Sequence, residues 1–231
     1  MLASLPMEQR TKDQWLQILE SYDYGSVIPG SAAAVCQQAE YLYQTFLQKG
    51  IIREGDSILD LGCGIGRLGI PLTQMNVTYA GLDIVPRCID FCQKTFKPWP
   101  NFSFNLLDIK NPFYNPNGSL DPKQMVLPYA DNRFDTVIAI SLFTHFPTVT
   151  ECWNYLKEIH RVLKPNGRLC CTWFCSPPNT STNNAERAVF PEWIIRLMLT
   201  DDFSLVEEWG GQTTQHHDQR YLYLVRSQKA A

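Results

Sequence analysis

The segment Ile58-Leu59-Asp60-Leu61-Gly62-Cys63-Gly64-Ile65-Gly66-Arg67 decides how this chain folds. An apolar run contains one acid, and three glycines at alternating positions follow it before a helical stretch begins. Glycine permits positive φ angles and lets backbone N–H groups approach a ligand closely, which an ordinary tight turn does not need. We interpret the segment as a buried strand, a ligand-binding turn and the start of a helix.

Apolar runs and helical patterns alternate along the rest of the chain. Helices are predicted at Arg67–Met75, from Pro86 onwards, at Thr148–Leu163 and at Pro191–Leu199. Strands are predicted at Ser57–Leu61, Val77–Leu82, Phe102–Leu107, Phe134–Ile140, Leu169–Phe174, Phe203–Trp209 and Tyr221–Val225. Strands separated by helices of this length form a parallel sheet that is covered on both faces. Only residues 210–219 separate the last two strands, which predicts an antiparallel hairpin at the sheet edge.

The predicted fold class is therefore α/β. It is a doubly wound, Rossmann-like sheet of seven mostly parallel strands, with strands 6 and 7 as the C-terminal antiparallel hairpin. We assign residues 51–231 to this domain and residues 1–50 to an N-terminal helical cap that contains an amphipathic helix over Ala32–Lys49. The Tyr-, Gly- and Pro-rich segment from Tyr22 to Gly30 is expected to cross the ligand cleft.

Composition excludes several classes of protein. With 231 residues, 45% hydrophobic residues and a net charge of −3, the chain has enough apolar material for one core and no basic field for nucleic acid. The eight cysteines include no CxxC pair and no zinc-binding spacing, so we expect no metal and reduced, buried thiols. No signal peptide or membrane span is visible, and we expect a cytoplasmic protein without a membrane partner.

The glycine turn by itself fits two ligands. Gly64, Gly66 and Gly69 satisfy the dinucleotide fingerprint, and Asp83 follows Gly64 by 19 residues, as that fingerprint expects. At the end of the second strand, Asp83 can accept hydrogen bonds from both ribose hydroxyls, or it can cap the helix that Pro86 opens. At the end of the third strand, Asp108 can accept from an adenine amino group, or it can start a turn.

Five segments together resemble the class I S-adenosylmethionine (SAM) dependent methyltransferases that act on small molecules. They are ILDLGCGIGR, GLDI, NLLDI, LPYADNRFDTVIAIS and EIHRVLKPNGRLCCTWF, which span Ser57 to Phe174. An acid before the first glycine and the RVLKPNG turn are features of this family and not of nicotinamide dehydrogenases. The resemblance implies SAM as the cofactor, with the methionine part held by Asp60, Gly62 and Gly64, the ribose by Asp83, and the adenine by Ile84 and Asp108. Cys63 and Ser141 are predicted as further cofactor-binding residues.

One segment departs from the family pattern. Many relatives carry a Leu-Pro pair almost directly after the third-strand acid, whereas here Asp108 and Leu127-Pro128 are 19 residues apart. The intervening insert contains turn-forming residues and two aromatic side chains, Phe113 and Tyr114. It leaves the sheet at the ligand edge, so it is either a wall of the pocket or a solvated surface hairpin.

Histidines are the candidates for a catalytic base. Methyl transfer from SAM needs a base only when the acceptor must lose a proton. His145 follows the fourth strand between Phe143 and Phe146, which we expect to desolvate it, and His216 and His217 lie in the loop of the last hairpin. Each histidine also has a purely structural interpretation.

Three functions remain for the chain. The first is methyl transfer to an oxygen or nitrogen of a small-molecule acceptor. The second is a SAM-binding module without catalysis, which a complete set of cofactor residues disfavours. The third is a nicotinamide-dependent oxidoreductase, which the family features disfavour.

Overall fold

The computed structural model describes residues 10–22, 31–146, 148–176, 188–212 and 218–227. Eight strands lie within these ranges: β1 (Ser57–Leu61), β2 (Thr78–Asp83), β3 (Phe102–Leu106), β4 (Phe134–Ala139), β5 (Leu163–Ser176), β6 (Val189–Pro191), β7 (Phe203–Gln212) and β8 (Asp218–Arg226). The described helices are α1 (Lys12–Glu20), α2 (Ala32–Gln48), α3 (Gly69–Leu72), α4 (Pro86–Thr95), α5 (Val149–Val162) and α6 (Glu192–Leu199), with a 3₁₀ turn at Phe143–His145.

The strands form one sheet in the order β3-β2-β1-β4-β5-β8-β7. Strands β1 to β5 run parallel, and β8 is antiparallel to both β5 and β7. The predicted α/β fold with its reversed C-terminal hairpin is confirmed. Because the chain moves outward from β1 to β3 and then returns to the other side of β1, a crevice opens between the carboxyl ends of β1 and β4.

Three details differ from the sequence prediction. The short strand β6, three residues long and paired with the end of β5, carries no periodic pattern that the sequence could reveal. The helix predicted over Arg67–Met75 is only the single turn α3, and hydrogen-bonded turns follow it up to Met75. Helix α1 was not predicted, although Thr11 and Gln14 form a capping box whose sequence signature was present.

Two apolar cores lie on the two faces of the sheet. Alternation along β1 directs Ile58 and Asp60 to one face and Leu59 and Leu61 to the other. Helices α1 to α4 cover the first face, where Trp15 of α1 stacks on Trp99 at 5.8 Å between ring centroids. The N-terminal helices therefore share a core with the sheet, and the boundary at residue 50 stays a prediction. Residues 23–30, expected to cross the cleft, lie outside the described residues.

All eight cysteines are buried free thiols, so they pack as small apolar side chains. Among the described residues, no helix is both long enough and apolar enough to span a bilayer.

A buried ion pair joins the segment before β1 to strand β5. Asp56, directly before β1, accepts a 2.6 Å hydrogen bond from the guanidinium of Arg168 on β5, and both side chains are 8% exposed. The second carboxylate oxygen of Asp56 accepts from the backbone N–H of Arg53 at 2.7 Å. Removing one partner would leave the other as an uncompensated buried charge.

We therefore expect Asp56→Ala to lower the free energy of unfolding by about 3–5 kcal/mol, the typical cost of an unpaired buried charge. Urea denaturation followed by circular dichroism measures the change. The matched control is Asp131→Ala, because Asp131 also pairs with an arginine but is 69% exposed. The control should lose at most about 1 kcal/mol, and equal losses in the two variants would contradict the argument.

Candidate functional site

A cavity of about 740 Å³ opens at the carboxyl ends of the parallel strands, at the crevice between β1 and β4. The turn after β1, the ends of β2 and β4, the insert after β3 and the first turns of α5 form its walls. This volume lies within the range of pockets that bury a small-molecule ligand. Six of the eight predicted cofactor residues line it: Gly62, Cys63, Gly64, Asp83, Ile84 and Ser141.

The glycine turn needs glycine for two different reasons. Gly64 has a φ of 54°, and its backbone N–H donates to the Asp83 carboxylate at 2.7 Å. Gly66 has a φ of 72°, and a Cβ there would lie 2.8 Å from the ring of Phe96. Gly64 therefore forms part of the cavity wall. The absence of a side chain at Gly66 lets Phe96, at the end of α4, pack against the turn.

The carboxylate of Asp83 organises this edge of the sheet. Its Oδ2 accepts from the Gly64 N–H, and its Oδ1 accepts from the Val85 N–H at 2.9 Å. Burial raises the pKa of Asp83, while the backbone N–H bonds oppose that rise. The Ile84 backbone N–H also acts on this carboxylate, which has about four acceptor sites in all, so it keeps some acceptor capacity for a ligand in the cavity that it lines. Asp83 both leads into α4 and faces the cavity, so the two interpretations of this residue are compatible.

Asp60 lies on β1, directly before the glycine turn. It does not line the main cavity but borders a separate cavity of about 20 Å³, together with Gly62 and Arg67. The Tyr79 hydroxyl donates to its carboxylate. Burial raises the pKa of Asp60 from 3.8 to about 6, and the bond from Tyr79 opposes the rise. The contact of Asp60 with a methionine moiety therefore stays a prediction.

Asp108 is directed away from the main cavity. Its carboxylate accepts from the Asn115 amide at 3.0 Å and from the Ser119 hydroxyl at 2.7 Å and backbone N–H at 3.2 Å. These bonds, the Ser119 hydroxyl first, lower the pKa of Asp108. The predicted adenine contact of Asp108 remains untested, and the visible role of its carboxylate is to hold the insert.

The insert is a wall of the cavity. The Asn111 side chain accepts from the backbone N–H groups of Phe113 and Tyr114, each at 3.0 Å, and its main chain pairs with that of Asn115. Residues 109–114 then line the cavity. Of the two interpretations that the sequence left open, the pocket wall is the one that the structure shows.

His145 also lines the cavity, in the 3₁₀ turn after β4. Its aromatic neighbour is Tyr114, whose ring meets it edge-on at 5.2 Å with the hydroxyl 3.5 Å from Nδ1. Phe143 instead stacks on Trp173 at 4.3 Å in the core, and Phe146 packs on Tyr155 at 4.4 Å. The sequence predicted that the two flanking Phe rings would desolvate His145. In the structure, Tyr114 of the insert contacts His145, while these Phe rings pack on other aromatic side chains.

The other histidines are placed as follows. His216 and His217 lie outside the described residues, so their roles stay predictions. His160 contacts Phe203 and Arg226 and does not line the cavity. Within the described part of the chain, no cluster of three or more His, Cys, Asp or Glu side chains is arranged to hold a metal ion.

The sequence missed two residues of α5 in the cavity wall. Glu151 and Tyr155 are 7% and 2% exposed, and the spacing of four residues puts them on one face of the helix. The Oε2 atom of Glu151 is buried and has no hydrogen-bond partner. In the sequence, this acid and this tyrosine lie four residues apart on an amphipathic helix. That spacing does not indicate that the helix face borders a cavity.

The raised pKa of Asp60 predicts a pH-dependent stability. Between about pH 4 and pH 6 the folded state keeps a proton that the unfolded chain has lost, so stability from this group falls as pH rises through that window. We expect Asp60→Asn to remove up to about 3 kcal/mol of that fall, as measured by urea denaturation from pH 4 to pH 7.5. Asp90→Asn, at an exposed position on α4, is the control. Parallel curves for the unsubstituted protein and Asp60→Asn would refute the effect.

Comparisons with known proteins agree with this geometry. A family model described as a methyltransferase domain matches residues 52–226. A 2-phytyl-1,4-naphtoquinone methyltransferase from Nostoc sp. is 28% identical over 170 residues, which cover 68% of this chain and 63% of that protein. A demethylmenaquinone methyltransferase from Symbiobacterium thermophilum is 27% identical over 224 residues, which cover 95% of this chain and 78% of that protein. The chain thus spans less than two thirds of the first relative.

The fold is shared with solved structures. A magnesium protoporphyrin IX methyltransferase from Synechocystis PCC 6803, solved with bound SAM, superimposes with a TM-score of 0.59 at 21% identity, over 93% of this chain and 90% of that chain. The family match covers most of the chain and includes the glycine turn, Asp83 and the reversed hairpin. The chain belongs to the class I SAM-dependent methyltransferase family, whose cofactor is SAM.

Proposed function

We propose that this chain binds SAM in the 740 Å³ cavity and transfers its methyl group to an oxygen or nitrogen of a small-molecule acceptor. The proposal depends mainly on the Asp83 carboxylate, which lines the cavity, is fixed by the Gly64 and Val85 N–H groups and keeps acceptor capacity for a ligand. Two adjacent ribose hydroxyls are a matching pair of donors.

The other residues of the cavity fit the remaining parts of the cofactor. Ile84 offers an apolar surface to a purine, and the Gly62 and Gly64 backbones offer close approach to the amino-acid part. Ser141 adopts a φ of 60°, and its N–H is held by the Thr172 hydroxyl at 2.6 Å. A strained backbone that is held in place at the end of β4 is typical of a functional site.

SAM supplies an activated methyl group on a sulfonium, so the chain has to position the acceptor and exclude water. The insert and the 3₁₀ turn do both, because Phe113, Tyr114 and His145 close one side of the cavity. His145 accepts the proton of a hydroxyl acceptor, with Tyr114 beside its Nδ1 to orient the ring. Aromatic walls suit a flat acceptor, and two relatives are named for quinone substrates.

Binding and turnover experiments distinguish two alternative functions from this proposal. A non-catalytic module would bind SAM without turnover in the presence of any acceptor. An oxidoreductase would bind a nicotinamide dinucleotide in preference to SAM. Calorimetric titration with SAM and NAD, followed by a turnover assay with labelled SAM, separates the three. We propose a cytoplasmic location and no nucleic-acid or membrane partner.

Asp83→Ala should weaken SAM binding by about 10- to 150-fold, since a charge-assisted hydrogen bond is worth about 1.5–3 kcal/mol. Isothermal titration calorimetry measures the dissociation constant. Asp90→Ala removes the same charge from an exposed site on α4 and should bind SAM normally. Unchanged affinity in Asp83→Ala would show that the ribose lies elsewhere.

His145→Ala should slow the chemical step by about 10²–10⁴-fold and leave SAM affinity nearly unchanged, because a general base acts only on the acceptor. Single-turnover assays with hydroxylated aromatic acceptors and labelled SAM measure the step. His160→Ala is the control, since His160 does not line the cavity. If His145→Ala is fully active with such acceptors, His145 is not the base, and the same substitution at His216 and His217 tests the remaining candidates.

A further inference from the structure

Two carboxylates near the cavity differ in the hydrogen bonds that they accept. Asp108, which follows β3, gives both oxygens to the insert through Asn115 and Ser119. Glu151, in the first turn of α5, lines the cavity, is 93% buried, and has an Oε2 atom that receives no hydrogen bond. A buried acceptor without a donor is costly, and a donor group on a molecule in the cavity would satisfy it.

Helix α5 fixes the place of Glu151. The Thr148 side chain caps the helix by accepting from the Glu151 N–H at 3.3 Å, which holds the backbone of the first turn. One turn further, Tyr155 packs on Phe146. Burial raises the pKa of Tyr155, and the negative charges of Glu151 and Asp83 raise it further. Tyr155 and Glu151 therefore share one face of α5, and both line the cavity together with Asp83.

The cavity also has the character of a purine site. Apolar side chains from three segments line it, namely Ile84 after β2, Leu107 and Ile109 after β3, and Phe146 before α5. These four side chains belong to, or pack against, the apolar cluster that contains Tyr155. Adenine has two apolar faces and an amino group that must donate on its edge. If Asp83 binds the ribose, the purine extends from Asp83 into the cavity that Glu151 also lines.

We infer that Glu151 accepts the hydrogen bond of the adenine amino group of SAM, in the role that the family resemblance gives to Asp108. This inference rests on the proposed SAM site. The hydrogen bonds of the two acids support it, because Asn115 and Ser119 hold the Asp108 carboxylate at the insert, whereas α5 supplies a carboxylate with an unbonded oxygen at the cavity. The insert and the adenine contact are thus linked: Asp108 builds the wall, and Glu151 recognises the base.

The test compares two ligands that differ only in the amino group. They are S-adenosylhomocysteine and its analogue with hydrogen in place of the 6-amino group, and both bind without reaction. Calorimetric titration gives the affinity ratio for the unsubstituted protein and for each variant. The protein should prefer S-adenosylhomocysteine by about 10- to 150-fold, and Glu151→Ala should bind the two ligands within about threefold of each other.

Three further variants complete the design. Glu151→Gln keeps the shape and one neutral acceptor, so it should fold like the unsubstituted protein and show a reduced preference of about threefold to tenfold. Asp108→Asn tests the rival contact, because a collapse of the preference in this variant would return the adenine role to Asp108. Asp90→Asn, at an exposed position on α4, is the control and should keep the full preference. Thermal unfolding followed by circular dichroism shows that each variant is folded.

The outcomes separate the inference from the proposed function. A full preference in Glu151→Ala or Glu151→Gln, an equal loss of affinity for both ligands, or a collapse of the preference in Asp108→Asn overturns the role of Glu151 alone. An acceptor-binding role for Glu151 would give the first of these results together with a raised KM for the acceptor. Failure of the unsubstituted protein to bind either ligand would overturn the SAM site and this inference together.

Discussion

The hydrogen bond from the Gly64 N–H to the Asp83 carboxylate joins the turn after β1 to the end of β2, and the cavity depends on this contact. The turn can approach Asp83 because Gly64 adopts a positive φ and Gly66 leaves room for Phe96. In return, backbone N–H groups hold the Asp83 carboxylate at the wall of the cavity. A single carboxylate thus fixes the local backbone and presents the polar group that a nucleoside needs.

The insert after β3 forms part of the cavity wall. Its fold depends on polar side chains: Asn111 orders its first turn, and Asp108 binds Asn115 and Ser119. This arrangement brings Tyr114 to His145 in the wall of the cavity. The carboxylate of Asp108, which follows β3, thus holds the insert in place.

The buried carboxylates of the described residues differ in their partners. Asp56 and Arg168 neutralise each other below the sheet, and Asp60 keeps a donor in Tyr79 behind the glycine turn. Glu151 lacks a partner for one oxygen and faces the cavity. That contrast distinguishes a carboxylate that serves the fold from one that is available to a ligand.

Local patterns in the sequence determined much of this protein. The order of strands and helices, the glycine turn, Asp83 at the end of β2 and the reversed hairpin all follow from short-range periodicity and spacing. The tertiary structure alone decided the direction of the Asp108 carboxylate, the place of the insert, and the entry of Glu151 and Tyr155 into the cavity. These features depend on contacts between elements far apart in the chain. A side chain on a helix or loop has the same sequence context whether a cavity, a partner or solvent lies in front of it.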